Sequence, residues 1–495
     1  MASTGYPLTE TESRTNRFRT VTLGHLKNFI GGDYEAQNLS SVLYESRDSS
    51  DSAVKLEVWS APGFKFGPSW AMIFTSEGLP LQGITGDSGD LRRIDYIIPK
   101  QNISFPFQIY IEVSANAMFG VPDEGKLEVH DDVYFTLGTA DIAVPRMDAW
   151  HLMWDFQVIS DLTKSLPVTS PNCLKAQSVA MEIMNNFKPD NLSTILACRK
   201  IAEKILGSDW TQKEIYDPKS DWNFEEDSEG APVFAIGHCH IDSAWLWPFS
   251  VTQQKVARSW STQVDLIQRY PEYRFIASTA QQYKWLEELY PQLFSKVRRE
   301  VENGKFLVTG GSWVENDTNM PSGEALCRQF LYGQRYFKSR FGKYTDIFWL
   351  PDSFGYASQI PQICRQSGIP YFFTQKLSWS EFNKFPHSTF NWIGIDGTQM
   401  LVHMTPVDTY NAQANVDDVL KAINNHKDLE WSDKSLLVYG NGDGGGGPLA
   451  PMIERLRRIR SAANSSSNSG IPKVTQGPVQ SLRLDELSNI RPPIN

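Results

Sequence analysis

Two residues separated by a single position carry the first chemical signal. His240 and Asp242 lie in GHCHIDSAW (237–245), directly behind the apolar run 232–237. In an extended segment, positions i and i+2 point the same way, so an imidazole nitrogen and a carboxylate oxygen can converge on one ion. That nitrogen–oxygen set suits Zn2+. A structural His–Asp hydrogen bond is the competing reading, but the strand-end position, with His238 and Trp245 alongside, favours the metal. Two more carboxylates follow, Asp352 in LPDSFG (350–355) and Asp443 in GNGDGGGG (440–447). They are the best pair for acid/base or nucleophilic work, and a retaining glycosidase needs such a pair about 5–5.5 Å apart. Taken alone, each Asp could equally cap a helix. No G-K-[ST] follows the glycines 444–447, which excludes a phosphate loop; they are expected to let a bulky substrate approach the backbone.

Positioning such groups requires a framework, and the second half of the chain supplies one. Short apolar runs at 232–237, 273–278, 305–310, 346–350, 371–375, 400–404 and 435–440 alternate with helical stretches such as 280–304 and 322–342. Gly304 and Gly342 stand where those helices would stop. This alternation predicts a parallel β/α sheet, open or closed into a barrel, with a hairpin at WIGIDG (392–397) before the sixth run. Ligands bind at the carboxyl ends of such strands. Residues there include Trp313 and Glu315 after the third run, Phe354 after the fourth, Lys376 after the fifth and His403 after the sixth. Trp313, Glu315, Phe354 and Lys376 are the candidates for substrate contact.

The rest of the chain reads differently. Residues 1–144 alternate as strands, notably 54–61, 71–76, 94–99, 105–115 and 126–137, and predict an all-β, sandwich-like domain. A helical connector is expected over 145–228, the catalytic β/α unit over 229–465 and a flexible polar tail over 466–495. Together these make a multidomain chain. The 495 residues carry a formal net charge of −10, which argues against nucleic acid or an anionic membrane as the main partner. Five scattered cysteines without CxxC spacing fit a reducing compartment. The first twenty residues lack the apolar core of a signal peptide, and no apolar run would span a bilayer. A cytoplasmic protein is expected; homo-oligomerisation stays open.

GHCHIDSAWLWP, TGGSWVENDTNMPSGE, WLPDSFGYASQIPQI, FFTQKLSW and GNGDGGGGP, in this order, resemble the α-mannosidases of glycoside hydrolase family 38, nearest their cytosolic and vacuolar fungal branch. The resemblance covers most of 20–460. It implies a β-rich domain followed by a seven-stranded β/α barrel, and retaining, zinc-dependent hydrolysis of terminal α-linked mannose from oligosaccharides, in the cytoplasm or vacuole. By it, His240, Asp242 and Asp352 bind one Zn2+, Asp352 is also the nucleophile, Trp245 stacks on the mannose ring, and Asp443 is the acid/base. Family members are about twice as long and take a fourth zinc ligand, a histidine, from beyond the barrel, so weak activity is expected of this shorter chain. The alternatives are an amidohydrolase-type barrel using His238, His240, His403 and Asp443 around a metal-activated water, and an inactive mannoside-binding remnant.

Overall fold

Each of the seven apolar runs forms a parallel strand. The computed structural model describes residues 44–46, 55–60, 70–85, 93, 96–97, 108–114, 143–145, 147–188, 191–208, 233–432, 434–465 and 470–477. Among these, β1 (Tyr44–Ser46), β2 (Lys55–Ser60), β3 (Trp70–Phe74), β4 (Pro80–Thr85), β5 (Gln108–Ser114) and β6 (Ala143–Pro145) precede three helices, α1 (Met147–Ser165), α2 (Pro171–Asn186) and α3 (Leu192–Leu206). The remaining strands are β7 (Val233–His238), β8 (Phe275–Ala277), β9 (Phe306–Val308), β10 (Ile347–Trp349), β11 (Tyr371–Thr374), β12 (Thr389–Ile393), β13 (Gln399–Met404), β14 (Ser435–Tyr439) and β15 (Val474–Gln476). Interleaved with them are α4 (Phe249–Arg269), α5 (Ala280–Leu289), α6 (Pro291–Glu302), α7 (Gly323–Phe341), α8 (Ile360–Gln366), α9 (Val416–Asn424) and α10 (Ala450–Asn464).

Two sheets carry the site. One runs β14-β7-β8-β9 and the other β10-β11-β13-β12, with β12 antiparallel on the edge. All six residues of β7 are buried, as expected of a strand covered on both faces. Phe234, Ile236, Ile276, Ile347, Trp349, Phe373, Leu401, Leu436 and Val438, drawn from both sheets, meet in one apolar cluster. At one seam the Gly310 amide donates to Ile347 O (3.0 Å); at the other, Thr405 Oγ1 donates to Leu436 O (2.6 Å). All the strands that carry site residues therefore point their carboxyl ends the same way. The expected hairpin is present, Gly394 N donating to Thr398 O (2.8 Å) across its turn. Gly342 ends α7 in the left-handed region at φ 74°, and Gly304 does the same beyond α6 at φ 68°.

Three features differ from the sequence reading. The single helix expected over 280–304 is two, because Pro291 has no N–H to continue α5 and starts α6 instead. The strand β4 was hidden by its own residues: Pro80 opens it and Gly83 sits inside, so no apolar run stands out. Gly83 is required there, since a Cβ would come within 2.9 Å of Arg258 O on α4. The tail expected to be flexible from 466 contributes β15, which pairs in parallel with β7 and accepts a bond from Tyr439 through Gln476 (2.9 Å). The connector expected over 145–228 is helical at 147–206 and packs against α10. Arg458 of α10 donates to Asp155 of α1 (2.6 Å), and both are buried. The strand run at 126–137 lies outside the described residues, as does most of 94–99.

Candidate active site

His240 is the centre of the arrangement. Its side chain is 3% exposed, at the carboxyl end of β7. Its Nδ1 pairs with Glu315 Oε2 at 2.5 Å, and Glu315 Oε1 accepts from Ser278 Oγ at 2.5 Å. Both oxygens of Glu315 are thus engaged by protein groups, which fixes the imidazole plane and leaves Nε2 facing the opposite side. There Nε2 stands 3.4 Å from Asp242 Oδ1 and 3.4 Å from Asp352 Oδ2, beyond normal hydrogen-bond length. It is buried without a hydrogen-bond partner. Ligand atoms of His240, Asp352 and Asp443 all lie within 4.8 Å of one another.

These spacings fit a metal ion. Ligands about 2.1 Å from a tetrahedral Zn2+ are separated by roughly 3.4 Å along each edge, close to both His240–carboxylate distances. The orphaned nitrogen and the converging carboxylates are the two observations a cation would satisfy together. A carboxylate bonded to the far nitrogen of a metal-binding histidine is also the usual outer support of such a site. His238 and His403 take no part: Trp349 Nε1 donates to His238 Nε2 (3.1 Å), and His403 Nδ1 pairs with Thr389 Oγ1 (2.9 Å).

The two proposed catalytic carboxyls sit in opposite electrostatic settings. Burial alone would raise the Asp352 pKa, but His240 and the Lys376 ammonium, ion-paired with its Oδ1, outweigh that and hold it at about 2. Asp443 is raised instead, chiefly by burial, with Asp242 and Asp352 adding to the shift against the pull of His240. Its residue is a non-glycine in the left-handed region, φ 55°. The hairpin that carries it is closed by reciprocal Asn441–Gly447 backbone bonds and tied to β7 by Gly444 N to His240 O (3.1 Å).

Lys376 is buried, and its Nζ lies 3.4 Å from the Trp379 ring centroid, 4.7 Å from that of Phe354 and 6.0 Å from that of Tyr410. Phe354, 77% exposed, and Trp379, 64% exposed, form an aromatic rim over that amine. Trp245 is 54% exposed and meets Trp247 edge-on, centroids 5.4 Å apart. Trp313 lies outside this group. Its indole N–H donates to Gln281 (3.1 Å), its ring packs edge-on against Tyr332 and Tyr336 of α7, and it lines a surface groove with Arg328, Gln329 and Tyr332.

Two residues that sequence reasoning passed over belong to the site. Tyr410 donates to Asp443 Oδ1 (3.1 Å) and packs edge-on to the His240 imidazole (5.1 Å). Lys255 donates to the main-chain oxygen of Asp443 (3.1 Å), and burial first of all lowers its pKa to about 7. Tyr410 follows β13 by several residues in a stretch without periodicity. Lys255 lies inside α4, where a lysine reads as solvent-facing. The glycine stretch also works differently from expectation. A Cβ at Gly444 would strike Lys255 Cδ, and one at Gly447 would approach Gln263 Nε2 to 2.9 Å. Those glycines admit protein side chains.

Residues 231–482 match the glycosyl hydrolases family 38 N-terminal domain, and residues 49–143 match an α-mannosidase jelly roll domain. An α-mannosidase of Saccharomyces cerevisiae is 45% identical over 397 residues, covering 80% of this chain and 36% of its own length. Dictyostelium discoideum α-mannosidase G is 44% identical over 399 residues, covering 80% and 35%. Human α-mannosidase 2C1 is 37% identical over 402 residues, covering 80% and 36%. The chain spans about a third of the length of these curated relatives.

Proposed function

The chain belongs to glycosyl hydrolase family 38, and on that premise we propose that it hydrolyses terminal α-linked mannose from oligosaccharides, with retention of configuration and with one zinc ion. The observation that carries this reading is the convergence of His240 Nε2, Asp352 and Asp443 within 4.8 Å, with Asp242 3.4 Å from the same nitrogen. We propose further that the strands around this point close into a seven-stranded barrel, since both seams are bridged by hydrogen bonds.

His240, Asp242 and Asp352 would hold the zinc, which supplies Lewis acidity and a fixed point for sugar hydroxyls. Asp352, kept ionised by His240 and Lys376, is the nucleophile that attacks the anomeric carbon. Asp443 is the acid, protonating the departing glycosidic oxygen and later taking a proton from water. Its raised pKa keeps the proton in place at the outset. The approach of Asp352 and Asp443, one ligand atom of each within 4.8 Å of the other, supports retention, since inverting pairs stand about 6.5–9.5 Å apart to admit a water. Trp245, with a ring face in solvent, is the sugar platform; Phe354 and Lys376 border the same pocket. Glu315 acts through His240 as a positioning residue. Rate should fall as pH rises through the Asp443 pKa, because the acid form is lost, and Asp443→Asn should remove that alkaline limb.

The test is hydrolysis of an aryl α-mannoside by the purified chain, followed by NMR, beside metal analysis. Release of α-mannose as the first product, dependent on bound zinc, is expected. First-formed β-mannose would overturn retention. Binding of an inert mannoside without turnover would leave only the binding-remnant reading, and turnover untouched by complete metal removal would overturn the zinc assignment. Among the described residues no helix is long and apolar enough to cross a membrane.

A further inference from the structure

Helix α4 has an unusual buried face. Thr252, Lys255, Ser259 and Gln263, spaced 3, 4 and 4 residues apart, are all polar and all nearly inaccessible. That spacing puts them on one side of the helix. The stripe lies against two loops of the site, one that carries Asp242 and one that carries Asp443. At its start, Thr252 Oγ1 accepts from Trp247 Nε1 (2.8 Å) and lies 3.0 Å from the main-chain oxygens of Asp242 and Ser243, its possible acceptors. At its far end, Gln263 Nε2 donates to Gly446 O (2.8 Å) and Pro448 O (3.2 Å), while its Oε1 accepts from Tyr273 (2.6 Å). Lys255 stands between them, its Nζ 3.6 Å from the Trp247 ring centroid and 3.1 Å from Asp443 O.

We propose that Lys255 is a positioning residue for Asp443: α4 is a template whose polar stripe fixes the 441–447 hairpin against the 240–247 loop, and Lys255 clamps the backbone of the acid itself. The backbone shows why a clamp is needed. A non-glycine residue in the left-handed region costs free energy and persists where its surroundings over-determine it. Asp443 is such a residue, at φ 55°. The contacts around it are the Lys255 ammonium on its carbonyl, the Lys255 stem against Gly444, and the Tyr410 hydroxyl on its carboxylate. Without the ammonium, the hairpin can relax and carry the carboxyl away from the leaving oxygen, and a displacement near 1 Å is enough to slow a positioned proton transfer. β4 meets α4 at the border of this stripe, where Thr262 Oγ1 accepts from the Gly83 amide (3.1 Å).

This inference rests on the mannosidase reading for its rate test, and carries a second readout that does not. Lys255→Met keeps the stem that packs on Gly444 and deletes the ammonium that lies over Trp247. An aryl mannoside with a poor leaving group needs the acid, whereas 2,4-dinitrophenyl α-mannoside departs without it. The variant should lose about 100-fold in kcat on the poor leaving group, the low end of what a general acid contributes, and about 3-fold or less on the dinitrophenyl substrate, with zinc content unchanged. Lys284→Met, at an exposed lysine on α5, should change neither. An equal loss on both substrates, or no loss, overturns the proposal. The crystal structure of Lys255→Met should show the Asp443 carboxyl displaced by about 1 Å or more with His240 in place; an unmoved Asp443 overturns the proposal even if the wild-type chain turns over no mannoside, an outcome that would sink the mannosidase reading alone. If Lys255→Met does not fold, Gln263→Met, which frees the other end of the hairpin, is judged by the same two readouts.

Discussion

Two of the buried charge clusters among the described residues are built on opposite rules. Between α1, α3 and α10, Arg458 donates to Asp155 (2.6 Å) and Glu454 (2.6 Å), and Arg199 reaches Asp155 (3.4 Å) and Asp148 (2.7 Å). Every carboxylate there meets a guanidinium. At the ends of β7, β9, β10 and β14, Asp242, Glu315, Asp352 and Asp443 gather around one imidazole and the Lys376 ammonium, and the nitrogen at their centre lacks a hydrogen-bond partner. Buried charge is tolerated when paired and costly when not. The first cluster therefore reads as architecture. The second makes physical sense as a site able to hold a cation, since like charges held together disfavour folding unless something binds between them. A charged residue's meaning lies in the sign of its neighbours, more than in its burial.

The sharpest way to break this contrast is to remove one charged group from each cluster's core and watch what fails. Asp352→Asn should cut kcat for aryl mannoside hydrolysis by about 10^4-fold or more, the scale seen when a catalytic nucleophile is lost, while the unfolding midpoint in denaturant stays near wild type. Residual turnover within tenfold of wild type would remove Asp352 from its role. Arg458→Met does the reverse. It takes the nearest buried partner from Asp155 and Glu454, leaving them the 3.4 Å contacts to Arg199 and Arg457, so stability should drop by about 3 kcal/mol, read by urea unfolding. Its folded fraction should keep wild-type KM. A loss of stability below about 1 kcal/mol would show that the balanced cluster is no more than incidental pairing.

The same contrast explains what the sequence could disclose. His240, Asp242, Asp352 and Asp443 were legible because each follows an apolar run, and strand ends of one face must converge whatever the helices do. The seven runs were legible because a strand buried on both faces has to be continuously apolar. What stayed hidden was polar material inside helices. Lys255 and Gln263 fall in a helix where hydropathy marks them as outward, and only their tertiary bonds to Asp443 O, Gly446 O and Pro448 O show that this face is buried. The Arg458–Asp155 pair links residues 303 positions apart, and no local pattern can announce it. Trp313 shows the converse error: it follows a strand as the site residues do, but its ring turns between α5 and α7.

A milder perturbation separates support from ligation. Glu315→Gln keeps a group on His240 Nδ1 but removes its charge, so zinc affinity should weaken by about 10–100-fold, the usual effect of losing an outer partner. Competition with a chromophoric chelator measures it. Because metal bound to the native state raises apparent stability by mass action, added zinc should also raise Tm less at a given concentration in this variant than in wild type. An unchanged affinity would mean that Glu315 contacts substrate without orienting the imidazole.

The smallest expected effect lies at the rim, where neither charge rule applies. Trp245 and Trp247 are two residues apart and meet edge-on, yet Trp247 is buried beneath Lys255 and Trp245 is open. Stacking of a sugar on the open ring contributes about 0.5–1.5 kcal/mol on the scale of aromatic contacts, so Trp245→Ala should raise KM by roughly 2–10-fold. The kcat should hold, because a platform that grips ground state and transition state alike changes binding without changing the chemical step. Trp247→Ala should act oppositely, lowering stability and kcat through the Lys255 and Thr252 contacts it supports. Steady-state kinetics on both variants decides the matter: a fall in kcat for Trp245→Ala with KM fixed would place that ring in the transition state and move it from the rim into the catalytic group.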